Sequence, residues 1–169
     1  MSKQTINLGT APTGVGGDTP RSAFTKTQSN FDELYAADAV NYKRANIVGS
    51  VSQSGGVPTG AIIEVGSNSN GEYVKFANGT QICRFLYSGA LALDSPLYGA
   101  FVSGWISWTF PSGFVSRPNV IVTPRDDTAL FGFVSASGNG GIENIRLGQN
   151  AASGSFIRSA NFVAFGRWF

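Results

Sequence analysis

The hydrophobic rhythm of the chain changes twice. Residues 1–18 (MSKQTINLGTAPTGVGGD) follow neither a helical nor an alternating period and are rich in Gly, Thr and Ala, which predicts an extended segment ordered only by packing on something else. Asp18 and Thr19 then offer side-chain oxygens for a helix start, Pro20 suits the first helical position, and Phe24, Phe31, Leu34 and Tyr35 fall on one face at helical spacing. A helix is predicted over about 20–38. An isolated amphipathic helix of this length is marginal in water, so its aromatic stripe needs a partner: a copy of itself, the rest of the chain, or another protein. Residues 1–44 form an N-terminal segment on this reading, and the Ser/Gly-rich stretch 45–60, with Pro58 near its end, is the predicted linker.

Beyond Gly60 the pattern becomes short alternating runs punctuated by Gly, Asn, Ser and Pro, which predicts an antiparallel all-β domain over 61–169. Ala61–Val65 reads as its first strand. In EYVKFANGTQICRFLY, Asn78-Gly79 supplies the positive φ angles of a two-residue type I′ turn, pairing Val74 with Cys83 and Phe76 with Gln81. Val74, Phe76, Cys83 and Phe85 then face the core, and Tyr73, Lys75, Ile82 and Arg84 the other side. Further strands are predicted at 104–110, with Ile106, Trp108 and Phe110 inward, and at 119–123, 129–136, 142–147 and 160–168. The last strand is apolar on both faces: Phe162, Ala164 and Trp168 on one, Val163, Phe165 and Phe169 on the other. It should be covered on both, by a sheet and by a neighbouring subunit, or buried wholly inside one sandwich.

Composition narrows the chemistry. There is no histidine and one cysteine, Cys83, which excludes Ser-His and Cys-His catalysis, an intrachain disulfide and a thiolate metal cluster. Neither a metal nor a cofactor is expected, and Cys83 reads as a core residue. Twelve basic residues against 10 acidic ones, scattered apart from Lys43-Arg44, leave no stripe to follow a phosphate backbone, so nucleic acid is not an expected partner. No apolar run reaches the ~18 residues of a membrane span, and Met1 is followed by polar residues, so neither membrane insertion nor a secretion signal is expected. With only 13% charged residues and 22 glycines, the surface is one of hydroxyls, amides and backbone. It suits hydrogen bonding to polar, uncharged ligands and equally suits a rigid β protein that binds nothing small.

The residues offer several candidate contacts. Arg125-Asp126-Asp127 follows a strand end, where it could grip a hydroxyl pair or a cation, or be a solvated turn. Trp105 points opposite Ile106 and is expected to be exposed, as an interface anchor or a platform for a sugar ring. Asn139, Glu143, Asn144 and Arg146 lie in or after the loop SGNGG, where a binding loop or a plain hairpin connection would serve. Tyr87, Tyr98 and Phe131 border Gly- and Ser-rich loops. A glycosidase would need two carboxylates at a defined separation; Glu64, Glu72, Asp94, Asp126, Asp127 and Glu143 identify no cleft, and the protein is not expected to be an enzyme.

Two stretches resemble the tail-fibre and tail-tip receptor-binding proteins of tailed bacteriophages. Asn7-Leu8-Gly9, Gly17-Asp18-Thr19, Arg21 to Lys26 and Asn30 to Tyr35 stand in the order and spacing of the N-terminal segment of many phage tail proteins. Tyr73 to Cys83, Phe110-Pro111, Phe114, Pro118-Asn119-Val120 and Ala164 to Trp168 are similar to a fibre C-terminal module, in outline like the trimeric sandwiches of H-type lectins. The resemblance implies a homotrimeric virion protein, assembled in the host cytoplasm with other phage tail proteins. Its N-terminal segment would dock or trimerise through Phe24, Phe31, Leu34 and Tyr35, with Phe165 and Trp168 at subunit contacts. The β domain would attach without catalysis to a bacterial surface glycan, with Trp105, Arg125, Asp126, Asp127, Asn139, Glu143 and Arg146 as candidate receptor contacts. The chain shows no long shaft, which turns the expectation toward a short tip, knob or collar part; a purely structural virion component is the alternative.

Overall fold

The computed structural model describes residues 3–126, 130–136 and 138–169, without the side chains at 135, 136, 142 and 143. The chain divides into two compact units, residues 1–43 and 44–169. In the first, helix α1 spans Pro20–Val40, two residues longer than predicted; Thr19 caps it, with the Ser22 N–H donating to Thr19 Oγ1 at 3.2 Å. The preceding residues are folded rather than extended. Gly9, Gly14 and Gly16 all take positive φ, letting Thr10 and Val15 bridge in a tight turn.

The second unit is mainly β, with antiparallel sheets in a sandwich-like arrangement. Its strands are β1 (Gln53–Ser54), β2 (Val57–Pro58), β3 (Ile63–Asn68), β4 (Gly71–Phe76), β5 (Thr80–Leu93), β6 (Ser95–Leu97), β7 (Ala100–Val102), β8 (Ile106–Thr109), β9 (Asn119–Pro124), β10 (Phe131–Ala136), β11 (Gly141–Gln149) and β12 (Ser153–Arg167). One five-stranded sheet has the order β3-β4-β5-β12-β9. The other runs β10-β11-β7-β6, with β8 also paired to β11. The predicted linker is instead part of this unit. β1 and β2 form a small hairpin, Val51 is buried with its N–H donating to Glu64 Oε2 at 2.9 Å, and Gly49 N–H donates to Ile63 O at 2.9 Å. Flexible composition did not outweigh these backbone pairings.

Between the sheets, Cys83, Ala160, Phe162 and Ala164 meet Ile106, Trp108, Ile145 and Leu147, with Leu93, Phe110 and Phe114 closing the core. Ile106, Trp108 and Phe110 point inward as their alternation predicts. Trp108 packs edge-on to Phe110 with centroids 4.9 Å apart, and its indole N–H donates to Asn70 O at 2.8 Å, fixing the β3–β4 turn against the core.

The Asn78-Gly79 hairpin lies one residue out of the predicted register. Tyr73 pairs with Cys83 and Val74 with Ile82. The connection is three residues, Ala77-Asn78-Gly79, in which Gly79 has positive φ (+90°), Asn78 does not, and the Asn78 side chain accepts the Thr80 N–H at 3.0 Å. Because strand side chains alternate, this shift turns β4 over. Tyr73 and Lys75 join Gln81, Cys83 and Phe85 on the inner side, and Val74 faces outward with Ile82 and Arg84.

The C-terminus locks onto this turn. Trp168 N–H donates to Gly79 O at 3.0 Å, its indole N–H to Phe76 O at 2.8 Å, and Arg167 Nη2 to Asn78 O at 3.2 Å. Trp168, expected at a subunit contact, therefore has a clear place within its own chain. β12 buries Phe162 and Ala164 on one face; on the other Phe165 stays exposed, and among the described residues nothing supplies the expected second cover.

Candidate functional site

In the first unit the polar residues of the N-terminal motif are spent on one another. Asp18 Oδ2 accepts the Asn7 N–H at 2.7 Å and Lys26 Nζ at 2.6 Å, while Asp18 N–H returns a bond to Asn7 O at 2.8 Å. Lys26 also donates to Thr5 O at 3.1 Å, and Asn30 exchanges two bonds with the Gln4 backbone. Lys26 beside it, then the Asn7 N–H, hold the Asp18 carboxyl below its ordinary range. Gly17 is a steric requirement of this closure, since a Cβ there would lie 2.8 Å from Gly9 N. The apolar residues are left outside: α1 has no buried residue, and Phe24, Phe31, Leu34 and Tyr35 are all exposed.

In the second unit two surfaces stand out. The outer face of the β3-β4-β5-β12-β9 sheet carries an open depression of about 760 Å³, lined by Ser67, Glu72, Arg84, Leu86, Asn161 and Thr123 among others. Register sets its composition. Glu72 pairs with Arg84, Arg84 with Val163, Leu86 with Asn161 and Asn161 with Thr123, which places an ion-paired Glu72–Arg84 couple beside amide and hydroxyl groups. One row along, Val65, Val74, Ile82 and Phe165 are consecutive cross-strand partners and form an apolar band.

The other surface is the outer face of the second sheet. Trp105 precedes β8 and is 53% exposed, and the Arg146 guanidinium lies 3.5 Å from the centre of its ring. Arg146 is the cross-strand partner of Phe133, and Phe131 that of Gly148, where a Cβ would meet the Phe131 ring at 2.4 Å. Two candidates read separately from the sequence, Trp105 and Arg146, are thus one feature.

The remaining candidates fall elsewhere. Asp126 is neither a solvated turn nor a free ligand group: its Oδ1 accepts the Ser159 N–H and hydroxyl, both at 3.0 Å, and its Oδ2 lies 3.5 Å from the buried Arg158 Nη1. Strand β12 supplied partners that no local reading of Pro124 to Asp127 could reveal. Arg125 is exposed, while Asp127 and the Glu143 side chain lie outside the described residues. Asn139 ties loops together, its side-chain amide donating to Val115 O at 3.2 Å and its backbone carbonyl accepting the Phe114 N–H at 2.9 Å. Tyr98 is fully exposed between β6 and β7, with positive φ (+49°).

The carboxylates also separate. Glu64 pairs with Lys75 on the inner side of the sheet, whereas Glu72 faces outward, so these two do not flank a common cleft. Burial pushes the Glu64 carboxyl up, but the Val51 N–H, the Tyr73 hydroxyl and Lys75 outweigh it and hold the group below its ordinary value. Among the described residues no three acidic or cysteine side chains gather as a metal site. Burial pushes the Cys83 thiol up, away from the reactive thiolate. Family models, curated proteins and solved structures were compared with the chain, and none matches.

Proposed function

We propose that this protein is a non-enzymatic component of a phage tail tip or fibre that attaches to a polysaccharide on the bacterial surface, with other tail proteins and copies of itself as virion partners. The observation that carries the reading is the first unit. The motif that resembles phage tail proteins closes on itself through Asp18, Lys26 and Asn30, and by doing so presents Phe24, Phe31, Leu34 and Tyr35 as a preformed apolar stripe. A polar motif spent on holding an apolar stripe outward suits docking rather than catalysis. The second unit supports the other half of the reading with two surfaces rich in hydrogen-bonding and aromatic groups. The test is binding of labelled full-length chain to a panel of bacterial strains before and after their surface polysaccharide is stripped. Saturable binding that disappears on stripping is expected; binding that survives stripping contradicts a polysaccharide receptor.

A second reading, a structural virion part with no receptor site, is favoured by one observation, the apolar band Val65–Val74–Ile82–Phe165 on an outer sheet face. Phe165→Ser and the unaltered chain, assayed together, decide between them. Loss of the oligomer in sedimentation with cell binding unaffected assigns the band to packing and leaves the receptor site elsewhere; absence of any cell binding by the unaltered chain favours the structural reading.

A further inference from the structure

We infer that Trp105, Arg146 and Phe133 form a binding site for acidic saccharides, sugar rings that carry a carboxylate; this rests on the receptor-binding reading and names the ligand class. Three observations meet at one place. Trp105 is a large aromatic surface left half open at the start of β8. The Arg146 guanidinium lies over it, 3.5 Å from the ring centre, and the cross-strand neighbour of Arg146 on the same sheet face is another ring, Phe133.

The third observation is electrostatic. Lys26, Lys43, Lys75, Arg84, Arg158 and Arg167 each have a carboxylate or a backbone carbonyl to answer them. Among the described residues, Arg146 has no carboxylate within ion-pair distance, and its buried Nε has no hydrogen-bond acceptor. A planar cation lying over an indole, with no carboxylate beside it among the described residues, is pre-organised for a planar anion, because the guanidinium fork matches a carboxylate. The flanking rings offer what a pyranose needs as well, an apolar surface for its C–H face. A neutral glycan would use the rings and leave the charge idle; a phosphate polymer would use the charge and leave the rings idle. A carboxylated sugar uses both.

The arrangement depends on register. Arg146 reaches Trp105 because Ile145 pairs with Ile106, and it lies beside Phe133 through the β10–β11 pairing. Neighbouring Phe131 extends the aromatic surface over Gly148, where no other residue leaves room for its ring.

The experiment titrates full-length protein with alginate and hyaluronan oligosaccharides, with the same oligosaccharides after chemical reduction of their carboxyl groups, and with dextran, following tryptophan fluorescence and calorimetry. Binding of at least one acidic oligosaccharide is expected, with carboxyl reduction, Arg146→Met or Trp105→Ala each weakening it about tenfold or more. Arg146→Lys should recover part of the loss, and circular dichroism should show all variants folded as the parent. Equal binding of the reduced and acidic forms overturns the acidic-sugar assignment while leaving a glycan receptor intact. Binding of none of these sugars by a chain that binds cells also overturns it and leaves the receptor reading standing. Dissociation of the oligomer by Trp105→Ala overturns it too, assigning this surface to a second copy of the chain.

Discussion

Asp18, Gln81 and Gly79 show how single residues set the local outcome. The carboxyl of Asp18 titrates below its ordinary range in the folded chain, so its contribution is present above the unfolded value of about 3.9 and is lost as pH falls through the lower folded value. The Asn7 amide resonance should therefore be constant from neutral pH down through the ordinary carboxylate range and shift only below it; Asp18→Asn should remove that transition, and a transition that survives the substitution contradicts the clamp. Gln81 is fully buried, and its side-chain amide donates to Ser112 O at 2.8 Å and Gly113 O at 3.1 Å. Gln81→Leu keeps the volume but strands those carbonyls, at a cost of about 1–3 kcal/mol in chemical denaturation. Gly79→Ala should cost a similar ~1–3 kcal/mol, because φ is +90° and a Cβ would sit 2.4 Å from Arg167 Nη2. Alternation alone made Trp105 readable as exposed and Cys83 as core. The partners of Asp126 were not readable, since Arg158 and Ser159 lie more than thirty residues away along the chain.

At the level of elements, α1 was legible because capping, proline position and spacing all agree, and the strands of the second unit because alternation and turn residues do. Where the structure departs from the local pattern, turn length and edge pairing are decided by tertiary contacts. Asn-Gly favours a two-residue turn, yet Trp168 and Arg167 grip the Ala77-Asn78-Gly79 loop from the C-terminus and belong to its three-residue form. Likewise Glu64 draws Val51 into the β unit from a stretch whose composition reads as linker. The long partners β5 and β12 were seen only in part, because Ser88 to Ala90 and Ser153 to Ser159 lack apolar alternation and are held by each other. Trp168→Ala should consequently loosen the turn: faster amide exchange at Gly79 and Thr80 is expected, with core amides such as that of Phe162 little changed. Equal loosening of the core amides would show that the C-terminus supports the whole sheet rather than the turn.

The whole molecule joins a small unit that keeps its aromatics outside to a β unit with a complete core and decorated outer faces. An apolar stripe on a helix with no buried residue predicts association: Phe31→Ser with Leu34→Ser should lower the oligomeric state in sedimentation and leave the melting of the β unit unchanged. An unchanged oligomer would assign assembly to the Phe165 band instead. The proposed function has this chain attach a virion to its host by holding surface polysaccharide on the β unit. Adsorption inhibition is the measurement: cells pre-incubated with purified full-length chain are challenged with tailed phage whose particles are first shown by immunoblot to contain it. Adsorption should fall in proportion to occupied sites, and the Trp105→Ala protein should inhibit far less. Adsorption that proceeds unchanged on cells saturated with the chain would rule out attachment through this protein.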